Sequence, residues 1–137
     1  MLLFYRWQFL IVCLFYFNNP ILSKAQDTAA IKINKTLYGI ASFYSNKFNG
    51  LKTSSGEIFS QTKFTAASNQ FAFGTWLKVT NLRNNKTVCV RVNDRMHPKM
   101  KRVVDITRSA AQKIGMTSAG ITKVKVEVYG QNKPKED

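Results

Sequence analysis

Apolar and polar residues alternate along two stretches, one near the middle of the chain and one near its end. In 88–95, VCVRVNDR, the valines share one side of an extended chain, and Cys89, Arg91 and Asn93 share the other. The stretch 122–129, TKVKVEVY, has the same period of two. Successive side chains of a β-strand point to opposite faces, so both stretches predict strands with a valine face in the core.

Shorter apolar segments, separated by turn-forming residues, predict further strands and a single helix. Thr107 is a suitable N-cap and Gly115 a suitable residue after a helix end, so one short helix is predicted between them. The Ser-, Asn-, Gly- and Lys-rich segment Ser45–Gly56 is predicted to be a loop. Many short strands and one helix favour a mainly β barrel. The remaining strands are predicted at 37–44, 76–82 and 103–106. Between them, the chain is predicted to run from the surface back to the core over 61–67.

Residues 1–25 have the pattern of a secretory signal peptide. Arg6 precedes an apolar run at 9–17, and small residues, Ser23 and Ala25, follow at the third-last and last positions. The run is shorter than the roughly 20 apolar residues of a membrane span, and an uncleaved anchor is the alternative. Cys13 lies within the run without the residues of a lipoprotein signal, so no lipid anchor is expected. An exported protein, periplasmic or secreted, is predicted.

The rest of the chain predicts one folded domain. We expect a flexible lead-in at 26–36, a barrel at 37–130 and a charged tail at 131–137. Loss of the signal peptide would leave 19 basic and 7 acidic side chains, a net charge of +12. A strongly basic exported protein is attracted to polyanions. Charge alone does not choose between cell-wall polymers, anionic lipid head groups and nucleic acid.

Cys89 and His97 are the only cysteine and histidine outside the predicted signal peptide. A single cysteine excludes a disulfide within the mature chain. Its position between two valines favours a structural thiol over a nucleophile. One histidine and one cysteine would need scattered carboxylates to complete a metal site, so neither a metal nor a cofactor is predicted.

The strand at 88–95 ends in Asn93 and Asp94, which either turn the chain or carry chemistry. Both are common turn residues, and taken alone they favour a turn. A carboxylate at the end of a rigid strand is also where a barrel would hold a functional group. Residues elsewhere in the chain favour the second interpretation.

Seven segments, in order along the chain, resemble the rare lipoprotein A (RlpA) domain, a double-psi β-barrel of bacterial envelopes. The resemblance runs from Tyr38 to Tyr129, about two-thirds of the chain. It implies a six-stranded barrel with one short helix. The segments are YGIASFYSNKFNG, TSSGEIF, TAAS, FGTWLKVTNL, VCVRVNDR, RVVDITRSAAQKIGM and VEVY.

The resemblance implies an endolytic lytic transglycosylase whose partner is the glycan strand of peptidoglycan. Such an enzyme cleaves the MurNAc–GlcNAc β-1,4 bond and closes a 1,6-anhydro ring. The family's functional residues correspond to Glu57, Ser68 and Asp94. TAAS stands where the family has TAAH, so Ser68 replaces a histidine and weak turnover is expected. The alternative is a non-catalytic polysaccharide-binding barrel like the expansins.

Asp94 is predicted to act first as an acid and then as a base. It would protonate the leaving oxygen and then take the proton of the sugar's own C6 hydroxyl, so one carboxyl group suffices where a hydrolase needs two. To be protonated near neutral pH, its pKa would have to rise by about 2 from roughly 3.9. Burial or a nearby Glu57 carboxylate would have to outweigh Arg91 and Arg95.

Four further residues, Tyr44, Asn93, Arg95 and His97, are predicted to bind the substrate. His97 is an alternative to the missing histidine, although a surface loop residue is the favoured interpretation. Asp105 is interpreted as structural, through backbone hydrogen bonds near the helix start. A nucleic-acid-binding domain is disfavoured by the export signal and by the lack of any nucleic-acid motif. A monomer is expected.

Overall fold

The computed structural model describes residues 35–135, and the predicted signal peptide and nearly all of the predicted lead-in lie outside them. A short α-helix, α1, spans Arg108–Lys113, and a single 3₁₀ turn spans Asn46–Phe48. The strands are β1 (Lys35–Phe43), β2 (Thr65–Ala67), β3 (Trp76–Asn81), β4 (Thr87–Asp94), β5 (Val104–Ile106) and β6 (Thr122–Gly130). They close into a barrel in the order β1-β5-β2-β4-β3-β6. The predicted six-stranded double-psi β-barrel with one short helix is confirmed.

The valine faces predicted for β4 and β6 lie inside the barrel. Val90, Val92, Val124 and Val126 are fully buried, as are residues from the other strands and from α1. Each such side chain stabilises the fold by about 1.5–3 kcal/mol relative to an exposed position. Cys89, on the opposite face of β4, is also buried.

Both ends of α1 have the residues that the sequence predicts. The Thr107 hydroxyl accepts a hydrogen bond from the Ala110 N–H at 3.5 Å and donates to the Lys63 carbonyl at 2.6 Å. Gly115 has φ +65°, and a Cβ there would lie 2.9 Å from Asn84 Nδ2. The amides of Asn84 and Asn81 donate to the carbonyl of Ile114, which closes the helix end.

Three boundaries differ from the sequence prediction. β1 begins at Lys35, inside the predicted lead-in, because Lys35 and Thr36 continue the antiparallel ladder with β6. The segment predicted as a loop contains the 3₁₀ turn and the first half of a hairpin, described below. The first residues of the predicted tail fold back on the barrel: Pro134 is buried, and Lys133 Nζ lies 5.5 Å from the ring centre of Trp76.

The pairing of β2 brings two carboxylates to the same side of the barrel. Ala67 lies in register with Asp94 of β4 on one side and with Asp105 of β5 on the other. Paired residues share a face, and neighbouring strands are about 4.8 Å apart, so the two aspartate Cα atoms are about 10 Å apart.

Within residues 35–135, no helix has the length and apolar character needed to cross a membrane.

Candidate active site

A cavity of about 430 Å³ opens where β1 and β4 end. It brings together four of the predicted site residues, Tyr44, Asp94, Arg95 and His97, whereas Glu57, Ser68 and Asn93 do not line it. The complete lining consists of Ser42, Phe43, Tyr44, Ser45, Phe48, Ala67, Asp94, Arg95, Met96, His97, Met100, Arg102 and Asp105.

The carboxylate of Asp94 accepts four hydrogen bonds. Oδ1 accepts from the Ser54 N–H, the Ser54 hydroxyl and the Arg95 N–H, each at 2.8 Å. Oδ2 accepts from the Tyr44 hydroxyl at 2.7 Å. Burial raises the pKa of Asp94, but the hydrogen bonds outweigh burial and hold the pKa below its usual value. The rise in pKa that the predicted acid role requires is therefore absent in this conformation, and the carboxyl group is ionised near neutral pH.

Tyr44 is the hydrogen-bond donor to Oδ2 of that carboxylate. Burial, and then the hydrogen bond to Asp94, raise the pKa of Tyr44 far above its usual value. The phenol therefore stays protonated and donates to Asp94 throughout the physiological range. Its ring packs between Phe59, 4.3 Å between ring centres, and Phe48, 5.9 Å between ring centres. Phe48 is 40% exposed and adds an apolar wall to the cavity.

Ser54 lies at the tip of a hairpin formed by residues 51–59. The Phe59 N–H donates to the Leu51 carbonyl and the Thr53 N–H to the Glu57 carbonyl, both at 2.8 Å. Sequence analysis missed Ser54, because nothing distinguishes it within a serine-rich loop. Its role depends on contact with Asp94, 40 residues away in the chain.

Glu57, on the returning strand of the hairpin, binds β4 rather than Asp94. Both its oxygens accept from the Arg91 guanidinium at 2.9 Å, and Oε2 also accepts from Asn93 Nδ2 at 3.0 Å. The hydrogen bonds from Arg91 and Asn93 lower the pKa of Glu57 to about 2. In this arrangement Glu57 attaches the hairpin to the barrel. Its direct action on a substrate stays a prediction.

Ser68 is fully buried and supports the backbone beside the cavity. Its hydroxyl donates to the Val103 carbonyl at 2.9 Å, and its N–H donates to the Asp94 carbonyl at 3.1 Å. Asn93 is also buried, and its Oδ1 has no hydrogen-bond partner among the described residues. Neither side chain faces the cavity, so a catalytic Ser68 and a substrate-binding Asn93 stay predictions.

Asp105 is a cavity residue that the sequence analysis did not select. Arg102 donates two hydrogen bonds to its carboxylate, at 2.7 and 2.8 Å, instead of the expected backbone bonds near the helix start. It lies on the same side of the barrel as Asp94 because Ala67 of β2 pairs with Asp94 of β4 on one side and with Asp105 of β5 on the other. Sequence spacing cannot reveal such a register, because β2 is only three residues long.

Arg95 and His97 lie on the exposed loop that follows β4. The Arg95 guanidinium stacks 3.9 Å from the ring centre of Phe73 and donates to the Ser68 carbonyl at 2.8 Å. His97 Nδ1 accepts from the Lys99 N–H at 3.2 Å.

Within residues 35–135, no group of three or more His, Cys, Asp or Glu side chains is placed to hold a metal ion.

Fold and site together define a double-psi β-barrel with an open cavity at the ends of β1 and β4 that is lined by Asp94 and Asp105. Residues 36–126 match the family model described as "Lytic transglycolase", which covers more than half of the chain. The chain belongs to this family, and its resemblance to RlpA is confirmed.

Two similar relatives are endolytic peptidoglycan transglycosylases RlpA. The one from Pasteurella multocida is 46% identical over 90 residues, which is 66% of this chain and 31% of the relative. The one from Campylobacter jejuni is 42% identical over 107 residues, or 78% of this chain and 39% of the relative. The chain thus spans about a third of the length of these relatives.

Solved structures share the fold at lower identity. An expansin from Clavibacter michiganensis has a TM-score of 0.58 at 24% identity, covering 74% of this chain and 53% of the expansin. A papain inhibitor from Streptomyces has a TM-score of 0.57 at 15% identity, covering 70% of this chain and 96% of the inhibitor. These likenesses support the barrel fold and carry no statement about activity.

Proposed function

We propose that the chain is an endolytic peptidoglycan lytic transglycosylase of the bacterial cell envelope. It cleaves the MurNAc–GlcNAc β-1,4 bond and forms a 1,6-anhydro ring. The observation that carries this proposal is the position of Asp94, which ends a core strand and lines an open cavity in a chain of the lytic transglycolase family. The names of its relatives support the same substrate.

Proton transfer runs through Oδ2 of Asp94. Each carboxylate oxygen has about two lone pairs, and Oδ1 already accepts three hydrogen bonds, whereas Oδ2 accepts one. A proton on Oδ2 passes to the glycosidic oxygen as its bond to C1 breaks. The resulting carboxylate takes the C6 hydroxyl proton while O6 bonds to C1. No water is consumed, so a second carboxylate acting on water is not required.

The cavity walls position the sugars. Phe48 and the edge of Tyr44 offer apolar surface to sugar faces, and Arg95 offers hydrogen-bond donors beside Asp94. The net charge of +14 attracts the anionic wall polymer. Within residues 35–135, Glu57, Asp105 and Glu127 are each paired with a cation, which leaves most basic side chains available to polyanions.

Purified peptidoglycan sacculi test the proposal. The wild-type chain should release soluble glycans that end in anhydro sugars, and Asp94→Asn should release about 10²–10⁴-fold less, because an amide cannot donate and accept the reacting proton. Glu127→Gln is the matched control, since it also removes a carboxylate but from an ion pair with Lys125 outside the cavity lining. Thermal unfolding of each variant verifies that the fold is retained.

A non-catalytic polysaccharide-binding barrel is the second candidate. It is favoured by the ionised state of Asp94 and by the burial of Ser68 at the position of the family's histidine. In that case the wild type and Asp94→Asn would release no glycan and would bind sacculi equally. Release by the wild type alone would exclude it.

A further inference from the structure

Ser54 provides two of the four hydrogen bonds that the Asp94 carboxylate accepts. It donates through both its N–H and its hydroxyl to Oδ1. The other two donors belong to the barrel and its immediate continuation: Tyr44 follows β1, and Arg95 is the next residue in the chain. Ser54 alone approaches Asp94 from a separate element, the hairpin 51–59.

The hairpin lies outside the barrel, and its base is fixed by Phe59, which is 3% exposed and packs on Tyr44, whereas its tip at 54–56 is held by few contacts. The Ser55 N–H donates to the Asn93 carbonyl at a long 3.3 Å, and Glu57 binds Arg91 and Asn93. Leu51 and Ile58 are 55% and 56% exposed, unlike the interior residues of the barrel strands. Segments with little buried apolar area open more easily than the core. Ser54 is therefore the donor that can leave Asp94 without disturbing the barrel.

We propose that Ser54 is a positioning residue that holds Asp94 as an ionised acceptor, and that the hairpin tip leaves Asp94 when this carboxyl group takes up a proton. The inference rests on the proposed function, in which Asp94 must be protonated to act as an acid. Backbone N–H groups can only donate, so a protonated Asp94 makes weaker bonds with Ser54 and Arg95 than the carboxylate does. A glycan that displaces the tip would favour the protonated form.

The other polar and charged groups around Asp94 do not release the carboxylate as the hairpin tip can. From the β1 side, Tyr44 remains a donor. From β5, Asp105 is paired with Arg102. On the loop after β4, Arg95 extends its side chain over Phe73, and His97 is exposed. Of the four donors that lower the pKa of Asp94, the two from Ser54 are therefore the ones that are lost when the hairpin tip opens.

Ser54→Ala and Ser55→Ala form a matched pair. Ser54 is exposed, and its replacement removes one donor to Asp94 but keeps the backbone N–H. The neighbouring Ser55 hydroxyl contacts the Thr53 hydroxyl at 3.0 Å instead. The probe is the ¹³C chemical shift of the Asp94 carboxyl carbon, followed by NMR against pH in the full chain. This readout requires no turnover.

Ser54→Ala should raise the proton affinity of Asp94 about three- to tenfold, because a hydrogen bond to the charged form is lost. Ser55→Ala should leave the titration unchanged. Equal midpoints for wild type and Ser54→Ala, or equal shifts in both variants, would overturn the inference.

Turnover provides the second readout. The acid must be protonated, so activity falls as the pH rises above its pKa. Ser54→Ala should shift this alkaline limb of the pH–activity profile to higher pH by as much as it shifts the Asp94 titration midpoint. An unchanged limb despite a shifted titration would show that the reaction does not use the group that Ser54 controls. Absence of turnover in the wild type would contradict the proposed function, while the titration would still decide the role of Ser54.

Discussion

Glu57→Gln tests whether Glu57 attaches the hairpin to β4 through its charge. The substitution keeps the shape of the side chain and removes the carboxylate that binds Arg91 and Asn93. A fall in pKa from 4.5 to about 2 would correspond to about 3 kcal/mol if it were converted in full. The Arg91 and Glu57 side chains are 32% and 42% exposed, so solvent screening reduces this value. We expect a loss of about 1 kcal/mol at pH 7.

The pH dependence of this loss has a definite sign. The pKa of Glu57 is lower in the folded chain, so its contribution to stability is complete above the unfolded value of 4.5 and disappears as the pH falls through about 2. Urea unfolding of wild type and Glu57→Gln at a series of pH values measures the difference. The two curves should converge in strong acid.

Glu127→Gln is the control for this measurement. Its ion pair with Lys125 is 3.5 Å long, so its loss should change the unfolding free energy by at most about 1 kcal/mol. A difference between wild type and Glu57→Gln that is as large at pH 2 as at pH 7 would show that the carboxylate charge is not responsible. No difference at pH 7 would show that the hydrogen bonds to Arg91 and Asn93 do not hold the hairpin.

Three further perturbations follow from the packing and from the charge. Ser68→His should destabilise the fold by about 1–3 kcal/mol in urea unfolding and leave turnover no higher, because the larger ring must enter a fully buried site; a gain in turnover without loss of stability would contradict this. Thr107→Ala should cost about 1–2 kcal/mol in the same assay, since it removes the helix cap and the bond to Lys63; an unchanged midpoint would contradict it. Sacculus binding, followed by co-sedimentation, should weaken strongly between about 50 and 300 mM salt, because ions screen the exposed basic side chains; salt-independent retention would contradict it.

The barrel was predictable from local sequence patterns. The valine alternation in β4 and β6 sets the interior faces, and Thr107 and Gly115 delimit α1. The six-stranded double-psi barrel was implied by the family resemblance instead, because β2 and β5 are three residues long and carry no periodic signal. The start of β1 was missed, since only its partner β6 extends the ladder to Lys35.

The candidate site was predictable only in part. Asp94 was selected at the end of its strand, and Tyr44, Arg95 and His97 line the same cavity. Asp105 was not selected, because its proximity to Asp94 depends on the strand register of β2. Ser54 was not selected, because it contacts Asp94 from a hairpin 40 residues away in the chain. The hydrogen bonds that keep Asp94 ionised were also missed, since they come from Ser54, Tyr44 and the Arg95 N–H and not from the neighbouring charges.

The fate of the glycosidic bond tests the central claim most directly. Sacculi digested by the wild-type chain in water labelled with heavy oxygen should give glycan ends that are lighter than a reducing sugar by one water and that carry no label. Mass spectrometry of the released glycans measures both features, with Asp94→Asn as the inactive reference. New reducing ends in place of anhydro ends, absent with Asp94→Asn, would show that the chain is a hydrolase, and the absence of any released glycan would show that the barrel only binds.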